Sequence, residues 1–213
     1  MSRILVVVGS PLAGSLTHAL ARSYADAARV TGAEVDVLDL AAEPVPDHPA
    51  TRADLRAPRT PADPDLDPVI APHVERLLAA DHLALFFPQW WGTYPAAFKA
   101  WIDRVILSGS SFAPTDGQSW TKLLTGRTAR IVMTMDSPRW WNWWMYRDAA
   151  VRSVRVATLW YVGVKTIGVT RIPDVKHADR ARLERAIAAL GRHGAADAAR
   201  GSTVTAARTA AAR

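Results

Sequence analysis

The sequence predicts an α/β fold, a doubly wound five-stranded parallel sheet with helices on both faces. Short apolar runs alternate along the chain with longer segments that have the periodicity of helices. The apolar runs are nearly continuous, as expected for strands that are buried on both faces of a sheet. Five such strand–helix units are too few for a TIM barrel, so the pattern favours an open, flavodoxin-like sheet.

Each element is assigned from its own pattern, in chain order. A strand is predicted where four or five largely apolar residues precede a turn, and a helix where apolar residues recur every three or four positions. Pro95 stands where the third helix would begin, a position that suits proline. The predicted strands are residues 4–8, 34–38, 83–87, 129–133 and 166–169, and the predicted helices are 16–30, 69–79, 96–107, 149–162 and 178–190.

Two segments depart from this alternation. Residues 42–68 contain seven prolines, several aspartates and no aromatic residue, which predicts a long surface loop without regular structure. After Leu190 the only large apolar residue is Val204, so we predict a disordered, Ala-rich tail over 194–213. Residues 1–193 would then form a single flavodoxin-like domain.

Composition excludes several classes of function. The chain has no cysteine, which rules out disulfides, thiolate nucleophiles and Cys-based metal sites and fits a cytoplasmic location. The first apolar run is too short to span a bilayer, so neither an export signal nor stable membrane insertion is expected. The six histidines lack metal-ligand spacing and no GxSxG motif is present, so no metal site is expected.

The charge pattern argues against nucleic acid as a partner. The net charge is +6 and the isoelectric point is near 10.2. However, the basic residues are scattered and often adjoin acidic ones, and no basic run or nucleic-acid-binding motif occurs. We therefore expect an arginine-rich surface that attracts small anions.

The first predicted strand ends in a loop suited to phosphate. Gly9 and Gly14 have the spacing of a P-loop, but the lysine that such a loop needs is missing, and GxGxxG is absent as well. Backbone N–H groups at the start of the helix, with the hydroxyls of Ser15 and Thr17, could still bind one phosphate. Alternatively, Ser15 could simply cap the helix. The loop by itself does not distinguish phosphate binding from helix capping.

Aromatic residues follow the third predicted strand. Trp90, Trp91 and Tyr94 lie just after Pro88, at the end of a buried strand, where open α/β sheets bind their ligands. This loop would suit a flat aromatic ligand, although it could also pack against a neighbouring subunit.

A second aromatic cluster comprises Trp140, Trp141, Trp143, Trp144, Met145 and Tyr146. A buried core rarely needs four indoles so close together, because each N–H requires a partner. The cluster could line a pocket for planar substrates, pack across a dimer interface, or lie on a membrane surface with Arg139 and Arg147 at its edge. We favour the pocket wall combined with the dimer contact.

Taken together, these motifs resemble the NAD(P)H:quinone oxidoreductase and flavodoxin-2 family of NAD(P)H-dependent flavin oxidoreductases. The resemblance extends over residues 3–178, and its motifs occur in the family's order. They are the segments 9–15, 80–82, 88–105, 120–130, 134–138 and 158–163.

The resemblance implies a flavoenzyme that transfers a hydride from NADH or NADPH, through bound flavin, to a quinone or similar planar acceptor. It implies FMN, with FAD as the alternative cofactor, and a homodimer. Two other classes stay open: a one-electron flavin carrier, which a basic chain does not suit, and an ancillary protein like the relatives that regulate potassium-efflux channels.

The resemblance also implies which residues form the site. The first loop would hold the flavin phosphate, the second would border the ring and ribityl chain, and the third would contact the polar edge of the ring. The predicted cofactor-binding residues are Ser10, Ser15, Leu16 and Thr17 in the first loop, Pro88, Gln89, Trp90, Trp91 and Gly92 in the second, and Thr134, Met135, Asp136 and Ser137 in the third. The predicted substrate pocket consists of Trp91, Trp140, Trp141 and Tyr146.

Two departures from the family pattern limit which residue roles can be assigned to this chain from the resemblance. Many relatives have histidine where Ser10 stands, and some quinone reductases place a tyrosine and a histidine beyond the third loop. Residues 138–148 contain no histidine, so we assign no catalytic acid or base. Hydride transfer between stacked rings depends mainly on position and orientation, so the chemistry does not require one.

Overall fold

The structure is a computed structural model that describes residues 1–211, with side chains described for residues 1–201. The strands are β1 (Arg3–Val8), β2 (Glu34–Asp39), β3 (His82–Pro88), β4 (Phe112–Pro114), β5 (Trp120–Lys122), β6 (Thr128–Thr134) and β7 (Lys165–Ile172). The α-helices are α1 (Leu16–Val30), α2 (Ala71–Ala79), α3 (Ala96–Val105), α4 (Arg139–Trp144), α5 (Ala149–Arg152) and α6 (Arg180–Ala211).

Five of the strands form one parallel sheet in the order β2–β1–β3–β6–β7, which confirms the predicted fold class. Successive residues of β1 point to opposite faces, and each face has its own apolar core. Val6 packs in the core that contains Leu20 of α1 and Leu190 of α6. Val7 packs in the opposite core, which contains Trp101 of α3. The sheet is therefore covered on both sides.

Some local elements differ from the sequence prediction. The helix predicted at 149–162 is α5 followed by a π-helical segment, Ser153–Trp160. Helix α4 and the small antiparallel hairpin of β4 and β5 were not predicted, because each is too short to show a clear periodicity. Residues 42–68 contain only a 3-10 turn, Ala53–Leu55, in agreement with the prediction of an irregular loop.

The predicted disorder of 194–213 is wrong for the part that the structure describes. Helix α6 continues to Ala211, and residues 212–213 lie outside the described residues. This helix packs closely against α1: a Cβ atom at Gly194 would lie 2.1 Å from the carbonyl oxygen of Tyr24. The segment is held by small residues and by a buried carboxylate, Asp197, and therefore has none of the apolar signal that predicts a packed helix.

Asp197 anchors α6 to the sheet through a buried ion pair. Its carboxylate accepts hydrogen bonds from Arg130 Nε at 2.6 Å and Arg130 Nη2 at 3.0 Å, and from the Tyr24 hydroxyl at 2.9 Å. Burial raises the pKa of Asp197, but the hydrogen bonds from Arg130 and Tyr24 together with the neighbouring positive charge outweigh it, so the pKa lies below its ordinary value. Burial lowers the pKa of neighbouring His82 to about 4, so this histidine is neutral and the cluster holds one cation and one anion.

We expect Asp197→Ala to lower the free energy of unfolding by about 3 kcal/mol or more, because it leaves Arg130 buried without its counter-ion. Urea unfolding at neutral pH measures the loss. Asp26→Ala is the matched control, since Asp26 pairs with Arg29 on the exposed face of α1. Equal, small losses in the two variants would contradict the anchoring role of Asp197.

Candidate cofactor site

Three loops meet at the carboxyl ends of β1, β3 and β6, and a cavity of about 230 Å³ lies between them. Most of the predicted cofactor-binding residues contribute to its wall, whereas Trp91, Gly92 and Ser137 do not. The lining residues are Ser10, Leu12, Ser15, Leu16, Thr17, Pro88, Gln89, Trp90, Thr134, Met135, Asp136 and Val175.

In the first loop, Ser15 occupies the N-cap position of α1 but its side chain makes no capping hydrogen bond. The Ser15 hydroxyl instead lies 2.8 Å from Nδ1 of His18 and 3.2 Å from the hydroxyl oxygen of Ser10. The interpretation of Ser15 as a simple helix cap is therefore wrong. Sequence reasoning missed His18, whose Nε2 lies 3.0 Å from Oδ1 of Asp39 at the end of β2.

The same loop offers backbone donors. Among the described residues, the N–H groups of Leu16 and Thr17 have no hydrogen-bond partner, as expected for the first turn of a helix. Thr17 is buried, and its hydroxyl oxygen lies 3.4 Å from that of Thr134, which connects the first loop to the third. Unpaired N–H groups, hydroxyls and the positive end of the α1 dipole together suit one phosphate group.

The second loop contains a tight two-residue turn. Trp90 and Thr93 exchange two backbone hydrogen bonds, both of 2.9 Å. Between them, Trp91 has a φ of 50° and Gly92 a φ of 77°, the signs that define a type I′ turn. Glycine is required at position 92 for two reasons. Its φ is positive, and a Cβ atom there would lie 2.9 Å from the ring of Tyr146.

Trp91 is an unusual residue for this turn. The left-handed conformation costs a non-glycine residue roughly 1 kcal/mol, and asparagine or glycine would ordinarily occupy the position. Its side chain is 98% exposed, so no packing within the described chain compensates this cost. An exposed, strained tryptophan beside the cavity is a feature that a ligand or a second subunit would explain.

A buried polar network joins the second and third loops to the rest of the chain. Gln89 accepts a hydrogen bond from Ser137 at 3.0 Å and donates one to Asn142 at 2.5 Å. Asn142 donates to Asp148 at 2.9 Å, and Arg171 of β7 binds both oxygens of Asp148. Sequence analysis missed Asn142, Asp148 and Arg171, since single polar residues look like exposed positions whether they stand in an aromatic segment, as Asn142 does, or in a strand, as Arg171 does.

Helix α4 buries Asn142 and leaves its four tryptophans largely exposed, from 36% for Trp141 to 77% for Trp144. Trp141 contacts Trp140 and Tyr146 edge to face, with ring centroids 5.6 and 6.4 Å apart. None of the predicted substrate-pocket residues lines the cavity between the three loops. They lie beside it, linked through the contact of Tyr146 with Gly92, so their pocket role stays a prediction.

Two other kinds of feature are absent from the described residues. They contain no cluster of three or more histidine or acidic side chains that could hold a metal ion. None of the described helices has the length and hydropathy required to span a membrane. What the loops offer to the cavity is hydrogen-bond donors in the first loop and the indole of Trp90 in the second.

Comparison with known proteins identifies the family. The model of a family described by its flavodoxin-like fold matches residues 2–193, so the chain belongs to that family. The FMN-dependent NADH:quinone oxidoreductase of Ruegeria pomeroyi is 29% identical over 209 residues, covering 89% of this chain and 98% of the relative. The FMN-dependent NADH:quinone oxidoreductase 2 of Cupriavidus pinatubonensis is 31% identical over 156 residues, covering 70% and 71%.

A solved structure shares the fold. The NAD(P)H:quinone oxidoreductase from Methanothermobacter marburgensis superposes with a TM-score of 0.74 at 20% identity, covering 92% of this chain and 96% of that one. At this identity, the similarity establishes the flavodoxin-like architecture and no more.

We expect Trp91→Asn to raise the free energy of unfolding by about 1 kcal/mol, because asparagine tolerates the left-handed conformation. Chemical denaturation measures the change. Trp144→Asn, at another exposed tryptophan that has an ordinary helical conformation, should give no such gain. If Trp91→Asn instead lowered stability, the turn would not be strained as described.

Proposed function

We propose that this member of the flavodoxin-like family is an FMN-dependent NAD(P)H:quinone oxidoreductase. The observation that carries the proposal is the meeting of three loops at one cavity, with phosphate-type donors in the first loop and Trp90 in the second. The names of the Ruegeria and Cupriavidus relatives support the same activity.

The residues of the first loop fit the phosphate of FMN. Ser15, Leu16 and Thr17 would hold it through hydroxyl and N–H groups, with Ser10 behind them. A phosphate would supply acceptors to the N–H groups of Leu16 and Thr17, which have no partner in the described chain. No residue lining the cavity is a lysine or arginine, so backbone donors would dominate the binding.

The other two loops fit a flavin ring. Gln89 and Trp90 would border it on one side, and the loop from Thr134 to Ser137 would face its polar edge. Among the described residues, the N–H groups of Asp136 and Ser137 have no partner, and such donors stabilise the negative charge of a reduced ring. When bound, FMN would accept a hydride from NADH or NADPH and deliver two electrons to a quinone or similar planar acceptor.

The protein would then act mainly by positioning the flavin ring and the reactants. The network from Gln89 through Asn142 and Asp148 to Arg171 would fix the loops that border the ring. We assign no side chain as catalytic acid or base, since oriented hydride transfer does not need one.

We further propose that the protein is a cytoplasmic homodimer. The support for a dimer is the exposure of Trp91 and of the α4 tryptophans, which lie beside the cavity and would be covered by a second copy. In that arrangement Trp140, Trp141 and Tyr146 would also border the planar acceptor. The lack of cysteine fits a reducing compartment.

The direct test is oxidation of NADH or NADPH by the purified protein with menadione as acceptor. We expect turnover that depends on bound or added FMN, and mass analysis of the released cofactor distinguishes FMN from FAD. An absence of turnover with both donors, even after addition of FMN, would overturn the proposal.

A second prediction concerns the acceptor. We expect Trp140→Ala and Trp141→Ala to raise the KM for menadione about threefold to tenfold, the effect of losing an aromatic contact worth about 0.5 to 1.5 kcal/mol. FMN affinity should not change. Trp160→Ala is the control, because the exposure of Trp160 lies between those of Trp140 and Trp141 but its side chain is on the π-helical segment. An unchanged KM in both α4 variants would remove their pocket role.

A further inference from the structure

A chain of hydrogen bonds runs from β2 into the first loop. Asp39 Oδ1 lies 3.0 Å from His18 Nε2, and the same oxygen accepts the N–H of Ala41 at 3.0 Å. His18 Nδ1 lies 2.8 Å from the Ser15 hydroxyl oxygen, which lies 3.2 Å from that of Ser10. The side chain of His18 is only 12% exposed, so these contacts make up most of its polar surroundings.

The protons that take part in this series of hydrogen bonds can be counted. An ionised carboxylate only accepts hydrogen bonds, so contact with Asp39 places a proton on Nε2 of His18. When the ring is neutral, Nδ1 carries no proton and must accept one. The adjacent donor is Ser15, whose hydroxyl has a single proton and can give it either to Nδ1 at 2.8 Å or to the hydroxyl oxygen of Ser10 at 3.2 Å. The contact with Nδ1 is the shorter one, and Ser10 donates its own proton to the carbonyl oxygen of Leu12 at 3.3 Å.

A phosphate on the first loop competes for that proton. With neutral His18, the hydroxyl of Ser15 is committed to Nδ1 and presents only lone pairs to a bound anion. With protonated His18, Nδ1–H donates to the Ser15 oxygen, and the Ser15 proton becomes available to the phosphate. The cationic ring also adds positive charge beside a cavity that no lysine or arginine lines.

We propose that His18 is a proton-linked part of the phosphate site, so that binding of a phosphate monoester at Ser15 takes up one proton on His18. This inference rests on the proposed FMN site and deepens it. Its consequence is that FMN binds more tightly as the pH falls, because histidine is the side chain that gains charge in the neutral range.

The charges around His18 are consistent with this role. Asp39 of β2 contacts the ring directly and carries the charge opposite to that of a protonated ring. Arg22, whose charge has the same sign as a protonated ring, lies one turn further along α1, and Asp136 lines the same cavity from the third loop. Of these groups, only Asp39 is in hydrogen-bond contact with the ring.

The test compares FMN with riboflavin, which lacks only the phosphate. Titration calorimetry at pH 8, in two buffers of different ionisation enthalpy, counts the protons taken up. We expect close to one proton for FMN and none for riboflavin. Between pH 7.5 and 9, where the phosphate stays dianionic, the Kd for FMN should rise about fivefold to tenfold per pH unit, as linkage to one proton requires.

His18→Gln supplies the matched variant, since glutamine keeps an amide donor for Asp39 but cannot take up a proton. We expect its Kd for FMN to change less than twofold over the same range, whereas the control His48→Gln, in the 42–68 loop, should behave as wild type. Riboflavin binding by each variant reports whether the rest of the site is intact.

The outcomes separate this inference from the proposed function. FMN binding without proton uptake, or an unchanged pH slope in His18→Gln, would overturn the role of His18 and leave the flavin site standing. Equal affinities for FMN and riboflavin would also overturn it, because the phosphate would then not occupy the first loop. If the wild-type protein bound neither flavin, both the proposed function and this inference would fail.

Discussion

The parallel pairing of β1, β3 and β6 is the constraint on which the site depends. Val8, the last residue of β1, pairs with Phe86, and Phe86 pairs with Val132. β3 and β6 end together two residues further on, where Pro88 pairs with Thr134. The pairing continues beyond the strands, since Gly9 N–H donates to the carbonyl of Phe86 and Gln89 N–H to that of Thr134, both at 2.7 Å. Three loops that are distant in sequence consequently begin side by side.

Two buried ion pairs attach the segments that the sheet itself does not hold. Asp148 and Arg171 join the residues after α4 to β7, and Asp197 and Arg130 join α6 to β6. Such pairs give little net stability compared with apolar packing, but removing one partner is costly. They therefore fix where short or weakly apolar segments lie, and α4 and α6 are segments of that kind.

The sequence predicted the features that follow from apolar periodicity or from a position at the end of a strand. The five strands, helix α1 and the three loops follow from apolar runs and from the rule that ligands bind at the carboxyl ends of parallel strands. It predicted the first part of α6, at 178–190, but not its continuation, because Asp197 and Gly194 hold that part of the helix without an apolar signal. Nor could it pair His18 with Asp39, which only the packing of α1 beside β2 brings together.

The first loop and the exposed tryptophans would have different roles in the proposed enzyme. At the phosphate end, the donors are backbone N–H groups and hydroxyls whose protons are shared with His18, so this end would govern how much cofactor is bound. Beside the cavity, exposed indoles stand on a turn and a short helix, where Gly92 lies close to Tyr146 and Gln89 donates a hydrogen bond to Asn142. Because none of the α4 tryptophans lines the cavity, changes to them should alter acceptor selection while cofactor affinity is retained.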